Sequence, residues 1–136
     1  MRKNKHLHLR RFSALIFAAA LLCSSVVAAN AATDRKETSI NDGNVISTAY
    51  ASRTKASISS MAGSGIGSVQ GTNTMTYRAQ ATSSSSMTVK STSSSFGGTG
   101  GTIMKDNLYL VDYTSGKHVY NFTGVGSFTV NTKAYY

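Results

Sequence analysis

Between residues 72 and 89 the apolar side chains keep a single parity. Met75, Tyr77, Ala79, Ala81, Met87 and Val89 are all odd-numbered, while Thr72, Thr74, Thr76 and Arg78 are even. A period of two puts alternate side chains on opposite faces of a strand, so this pattern specifies β structure with one covered face. The Ser83–Ser86 run does not break the parity, which distinguishes it from a serine-rich tether. Two geometries satisfy it. One is a hairpin of 72–82 with 86–95, pairing Ala81 with Met87 and Ala79 with Val89; the other is one strand bent at the serines.

Composition points the same way. Leucine occurs after residue 31 only at Leu108 and Leu110, and Ser and Thr make about a third of that region. Helices would need leucine, alanine, glutamate and lysine in quantity, whereas Thr, Val, Ile, Tyr and Phe suit strands. The expected fold is all-β: a small antiparallel sandwich or partly open barrel of about five to seven strands.

Several further strands are predicted. Residues 45–59 alternate, with Ile46, Tyr50, Ala56 and Ile58 on the even side as a covered face. Residues 61–71 are glycine-punctuated and read as a loop or broken strand. Residues 107–123 read as a hairpin tipped at Ser115-Gly116, pairing Tyr113 with His118, Val111 with Tyr120 and Tyr109 with Phe122. Tyr109, Tyr113 and Tyr120 are thereby assigned to the core, with His118 stacked on Tyr113. The last strand places Phe128, Val130, Ala134 and Tyr136 inward and Asn131 and Lys133 outward.

The chain starts with a basic segment, then an apolar run, then Ala29-Asn30-Ala31. That order is a secretory signal peptide over 1–31, cleaved after Ala31; the apolar run is short for the roughly 20 residues of a spanning helix. Residues 32–44 read as a flexible arm and 45–136 as a single β domain. The protein is therefore expected to be secreted. Nine of the 14 basic residues and all five acids remain after residue 31, so the net charge falls from +9 to +4. The high pI is largely a property of the leader, and no nucleic-acid partner is expected. The single cysteine, Cys23, lies in the leader, so the domain must fold without disulfides.

No catalytic constellation emerges. His118 is the one histidine after residue 31, with no cysteine and no acidic cluster at ligand spacing, so neither metal nor cofactor is expected. No Gly-x-Ser-x-Gly elbow occurs, and the glycine clusters at 63–67 and 97–101 lack the Lys-Ser/Thr of a phosphate loop. The expected function is non-enzymatic: a secreted β protein that binds at a cell envelope or extracellular surface. Its partner would be a cell-wall polymer, an anionic membrane surface or a surface protein. The candidate binding residues are Tyr135, Tyr136, Lys133, Arg53 and Lys55, because exposed tyrosines and cations suit sugars and polyanions.

The segments NVISTAYASRTKASISS (44–60) and KAYY (133–136) resemble parts of the lactococcin-type secreted bacteriocins. These are small, cysteine-free β proteins that act at the cell envelope. The resemblance implies, as the alternative, a bacteriocin-like or membrane-active antibacterial toxin.

Overall fold

The computed structural model describes residues 31–41 and 43–136. The leader expected over 1–31 therefore lies outside these residues except for Ala31. Among the described residues, eight strands form two antiparallel four-stranded sheets, and there is no helix. They are β1 (Ala31–Ile40), β2 (Gly43–Ser52), β3 (Lys55–Ala62), β4 (Gly71–Gln80), β5 (Thr88–Phe96), β6 (Gly100–Lys105), β7 (Leu110–Phe122) and β8 (Gly126–Tyr135). One sheet has the order β1-β2-β3-β6 and the other β5-β4-β7-β8. The fold is a sandwich, with eight strands where five to seven were expected.

The core lies between the sheets and is built from small and β-branched residues. Ala49, Ala51, Ala56 and Ile58 of the first sheet meet Met75, Tyr77, Ala79, Val111 and Ala134 of the second. Toward the other end, Tyr120 packs with Val45, Val69, Val130 and Ile40. Its ring stacks on Phe128 at 5.1 Å and meets Phe96 edge-on at 5.5 Å.

Residues 32–44, expected as a flexible arm, instead supply most of β1 and the start of β2. β1 pairs with β2 along its whole length, from Ala31 with Ser52 to Ile40 with Gly43. Its charged residues do not exclude it from the sheet because it is an edge strand. At that edge Asp34 accepts from the Lys133 amide at 2.8 Å, and Lys36 donates to the Asn131 carbonyl at 2.5 Å, bridging β1 to β8.

The 45–59 segment is two strands rather than one. The chain turns at Arg53-Thr54, pairing Ser52 with Lys55 and Ala51 with Ala56. Even residues of β2 are therefore opposed by odd residues of β3. Val45, Ser47, Ala49 and Ala51 are the buried set of β2, and Ile46 and Tyr50 face outward.

Serines 83–86 lie within the β4–β5 connection, so the hairpin alternative holds, one residue out of the expected register. Ala79 opposes Thr88, and Arg78 opposes Val89. Met75, Tyr77 and Ala79 are buried as the parity implies, but the shift turns Val89 to the outer face, where it is 58% exposed.

Residues 107–123 depart furthest from the expected arrangement. There is no turn at Ser115-Gly116: β7 runs straight through it as the longest strand, between β4 and β8. The turn lies further on, at Thr123–Val125, where Gly124 has φ +79° and Phe122 opposes Gly126. The expected pairs Tyr113–His118, Val111–Tyr120 and Tyr109–Phe122 do not form, since each pair now lies along the chain rather than across it. Glycine marks turns because it tolerates unusual φ, but it also marks places where a neighbour occupies the space of a Cβ. Gly116 is the second kind.

A bulge near the start of β7 decides which tyrosines face out. Arg78 opposes Tyr113 and Ala79 opposes Val111, leaving Asp112 as the extra residue. Val111 is buried and Tyr113 lies on the outer face, although the two share parity.

Candidate functional site

Inside the sandwich, above Gly116, lies a fully buried polar network. His118, Ser60, Asn73 and Thr132 are each 2% exposed or less. His118 Nδ1 lies 2.9 Å from Ser60 Oγ and 3.1 Å from Asn73 Oδ1. Its Nε2 lies 2.8 Å from Thr132 Oγ1. Ser60 donates to Asn73 Oδ1, and the Asn73 amide donates to the Gly101 carbonyl.

An amide oxygen only accepts, so the assignment that satisfies every group protonates Nδ1 and lets Thr132 donate to Nε2. Burial pushes the His118 pKa down to about 4, against a smaller opposing pull from Asp34. The ring is neutral at pH 7.

Thr132, His118 and Asn73 stand in the order hydroxyl, base, orienting group, which is the geometry of a catalytic triad. Here the hydroxyl is sealed. Three open cavities are lined by other residues, Asn73 alone of the triad bordering one of them. Among the described residues no cluster of three or more His, Cys, Asp or Glu offers a metal site. A second buried pair repeats the logic: Tyr120 donates to the Ile46 carbonyl at 3.1 Å, leaving its oxygen to accept from Ser47 at 2.8 Å. Both sets join the two sheets through hydrogen bonds that a Ser/Thr-rich interior would otherwise lack.

The accessible chemistry gathers at the end of the sandwich where β8 terminates. Tyr113 and Tyr135 are opposed on neighbouring strands, with rings 6.1 Å apart. The Lys133 ammonium sits over both, 4.5 Å from the Tyr113 centroid and 4.7 Å from that of Tyr135. Tyr135 is the main cause of a pKa for Lys133 above the ordinary lysine value, which keeps the ammonium charged. Arg78, opposite Tyr113, pairs with Asp112 at 2.9 Å. The bulge thus brings a tyrosine and a salt-bridged arginine onto the same outer face.

Arg53 and the C-terminus are tied to adjacent residues at the start of β7. The Val111 amide donates to the Arg53 carbonyl at 2.9 Å, and the Tyr136 amide to the Asp112 carbonyl at 3.0 Å. The Arg53 guanidinium lies 5.8 Å above the Tyr109 ring. Tyr109, Tyr135 and Tyr136 are 42%, 59% and 45% exposed.

Of the five residues named from sequence, Lys133 and Tyr135 form this surface; Tyr136 is held beside it through the Asp112 carbonyl, and Arg53 lies at the same end with its guanidinium over Tyr109. Lys55 points elsewhere. It opposes Ser52 and faces outward from the first sheet. Tyr136, expected inward, is exposed at the chain's end. Tyr109 and Tyr113, expected in the core, belong to the surface, and only Tyr120 is buried. Arg78 and Asp112 had no signal in the sequence, since the bulge that unites them depends on register. His118, expected to stack on Tyr113, lies on the opposite face of the sheet.

Compared with protein-family models, with curated proteins and with solved structures, the chain has no match in any of the three.

Proposed function

We propose that this is a secreted, non-enzymatic protein that binds an anionic polymer of the cell envelope through its tyrosine–cation end. The single observation that carries the reading is the Lys133 ammonium held over Tyr113 and Tyr135, beside Arg78 and exposed Tyr136. Tyrosine presents an apolar ring and a polar tip at low entropic cost, which suits the mixed faces of sugars. The neighbouring cations supply the attraction for phosphate or carboxylate, and a net charge of +4 after the leader adds a weak long-range term. The sealed Thr132–His118–Asn73 array supports the non-enzymatic part, since a nucleophile without access has no substrate.

A bacteriocin-like antibacterial activity is the second reading, and one observation favours it. The two segments resembling lactococcin-type bacteriocins supply Arg53 on one side and Lys133, Tyr135 and Tyr136 on the other, all at this end of the fold.

Partitioning of the purified protein between isolated cell walls, walls stripped of anionic polymers, and vesicles of anionic lipid tests the proposal. Retention on intact walls with loss on stripped walls is expected. Equal binding to both wall samples, or to none of the three, contradicts it. Clearing of a lawn of sensitive cells would establish the second reading.

A further inference from the structure

β5 and β6 are the free edges of the two sheets on one flank, joined through the Gly97–Gly100 bridge. The seam between them widens away from that bridge into a cavity of about 250 Å³, bordered by Tyr77, Thr88, Lys90, Lys105, Asp106 and Leu108 among others. Its two lysines come from opposite sheets. Lys90 opposes Tyr77 and shares its inward face, but on β5 that face is uncovered. Lys105 has the parity of buried Ile103 and so also faces between the sheets.

Both lysines are exposed, and among the described residues neither ammonium has a hydrogen-bond or ion-pair partner. Tyr77 and Leu108, 5% and 8% exposed, form an apolar floor. Asp106 at the rim leaves the lining with one net positive charge.

An inward-facing lysine on an edge strand is a known defence against strand-to-strand aggregation. That role explains each lysine singly. It does not require two from facing sheets to border one cavity with a low-dielectric floor, an arrangement that concentrates positive potential.

We propose that this seam pocket binds a phosphate group, separately from the tyrosine–cation surface. Two ammonium point charges approaching from different sides suit a tetrahedral anion with oxygens in several directions. A planar carboxylate is better served by the fork of an arginine. The phosphate could belong to a wall polymer or to a lipid headgroup.

The test is a nuclear magnetic resonance titration of the purified protein with inorganic phosphate, at constant ionic strength maintained with chloride. Saturable shifts are expected at the amides of Tyr77, Thr88, Lys90, Lys105 and Leu108. They should weaken at least tenfold in the double variant Lys90→Gln/Lys105→Gln. Both side chains are exposed, and an unchanged melting temperature confirms that the variant folds. Tyr135→Ala should leave these shifts intact, so failure of the envelope-binding proposal and failure of this one are distinguishable. Shifts that do not saturate, that persist in the double variant, or that are as large around Lys117 as around Lys90 overturn the pocket. With binding established, a soluble glycerol-phosphate polymer and vesicles of phosphatidylglycerol identify the source, by which of them protects the same amides.

Discussion

A Cβ placed on Gly116 would lie 2.5 Å from Nε2 of His118, in space the imidazole and the Thr132 hydroxyl already fill. Gly116 is thus the residue that lets a histidine lie flat in the middle of β7 and reach across to β3. Gly116→Ala must displace the ring or Thr132 Oγ1, 2.7 Å away, and crowd Ile58 at 3.0 Å. Overpacking of this kind costs about 1–3 kcal/mol. Ser115→Ala next door, on the outer face, should stay within about 0.5 kcal/mol. Denaturant unfolding of the two variants measures the contrast; a harmless Gly116→Ala would contradict the packing described for His118.

Acid should weaken the fold through the same histidine. Folded His118 titrates near 4 and an ordinary histidine near 6.5. The unfolded chain therefore binds the proton first as pH falls. Stability is unaffected by this group above about 6.5, declines as pH drops toward 4, and has lost about 3 kcal/mol below that. Carboxylates titrate in part of the same window, so His118→Gln is the reference. The stability gap between wild type and His118→Gln should shrink from pH 7.5 to pH 4; a constant gap would show that His118 is not held neutral.

Thr114 Oγ1 is buried, and among the described residues it has no hydrogen-bond partner. An unsatisfied buried hydroxyl costs roughly 1–3 kcal/mol relative to one that is paired or absent. Thr114→Val keeps the branched shape and removes the hydroxyl, so it should stabilise the protein by about 1 kcal/mol, raising the melting temperature by roughly 4–8 °C. A fall in melting temperature would mean that the hydroxyl has a partner.

Tyr120→Phe retains the ring stacked on Phe128 but strips the phenol from Ser47 and the Ile46 carbonyl. Leaving Ser47 unpaired in the core should cost about 1–3 kcal/mol. The double variant Tyr120→Phe/Ser47→Ala should recover part of that loss, because the stranded partner is removed as well. Chemical denaturation of the single and double variants reads the coupling.

Alternation in the sequence was informative about strands and faces. It identified the β class, the glycine-rich connection after β3, the buried parity of β4, and β8 with Lys133 outward. It did not fix register, because the β4–β5 loop and the Asp112 bulge each shift the pairing by one residue and neither is encoded in the alternation. The Arg53-Thr54 turn carries no glycine, asparagine or aspartate to announce it. Ser115-Gly116 resembles a turn yet lies mid-strand, since the glycine serves the His118 side chain. The Asp112 bulge gave Val111 and Tyr113 opposite faces and drew Arg78 to the site, and nothing local encodes that. The cations and Tyr135 were recognisable as surface chemistry, whereas Tyr136 has the parity of buried Ala134 and is exposed because the strand ends before it. Their grouping around residues 111–112 is a property of the pairing alone.

The most direct test is the affinity of purified protein for isolated cell walls, compared between wild type and Tyr135→Ala and repeated at rising salt. Tyr135 is 59% exposed, so the substitution should leave the melting temperature unchanged. If Tyr113, Lys133 and Tyr135 form the binding surface, Tyr135→Ala should weaken binding by about tenfold or more, or about 1.4 kcal/mol. Wild-type affinity should fall as salt screens the cations. Unchanged affinity in a folded Tyr135→Ala protein would contradict the assignment of function to this end of the sandwich.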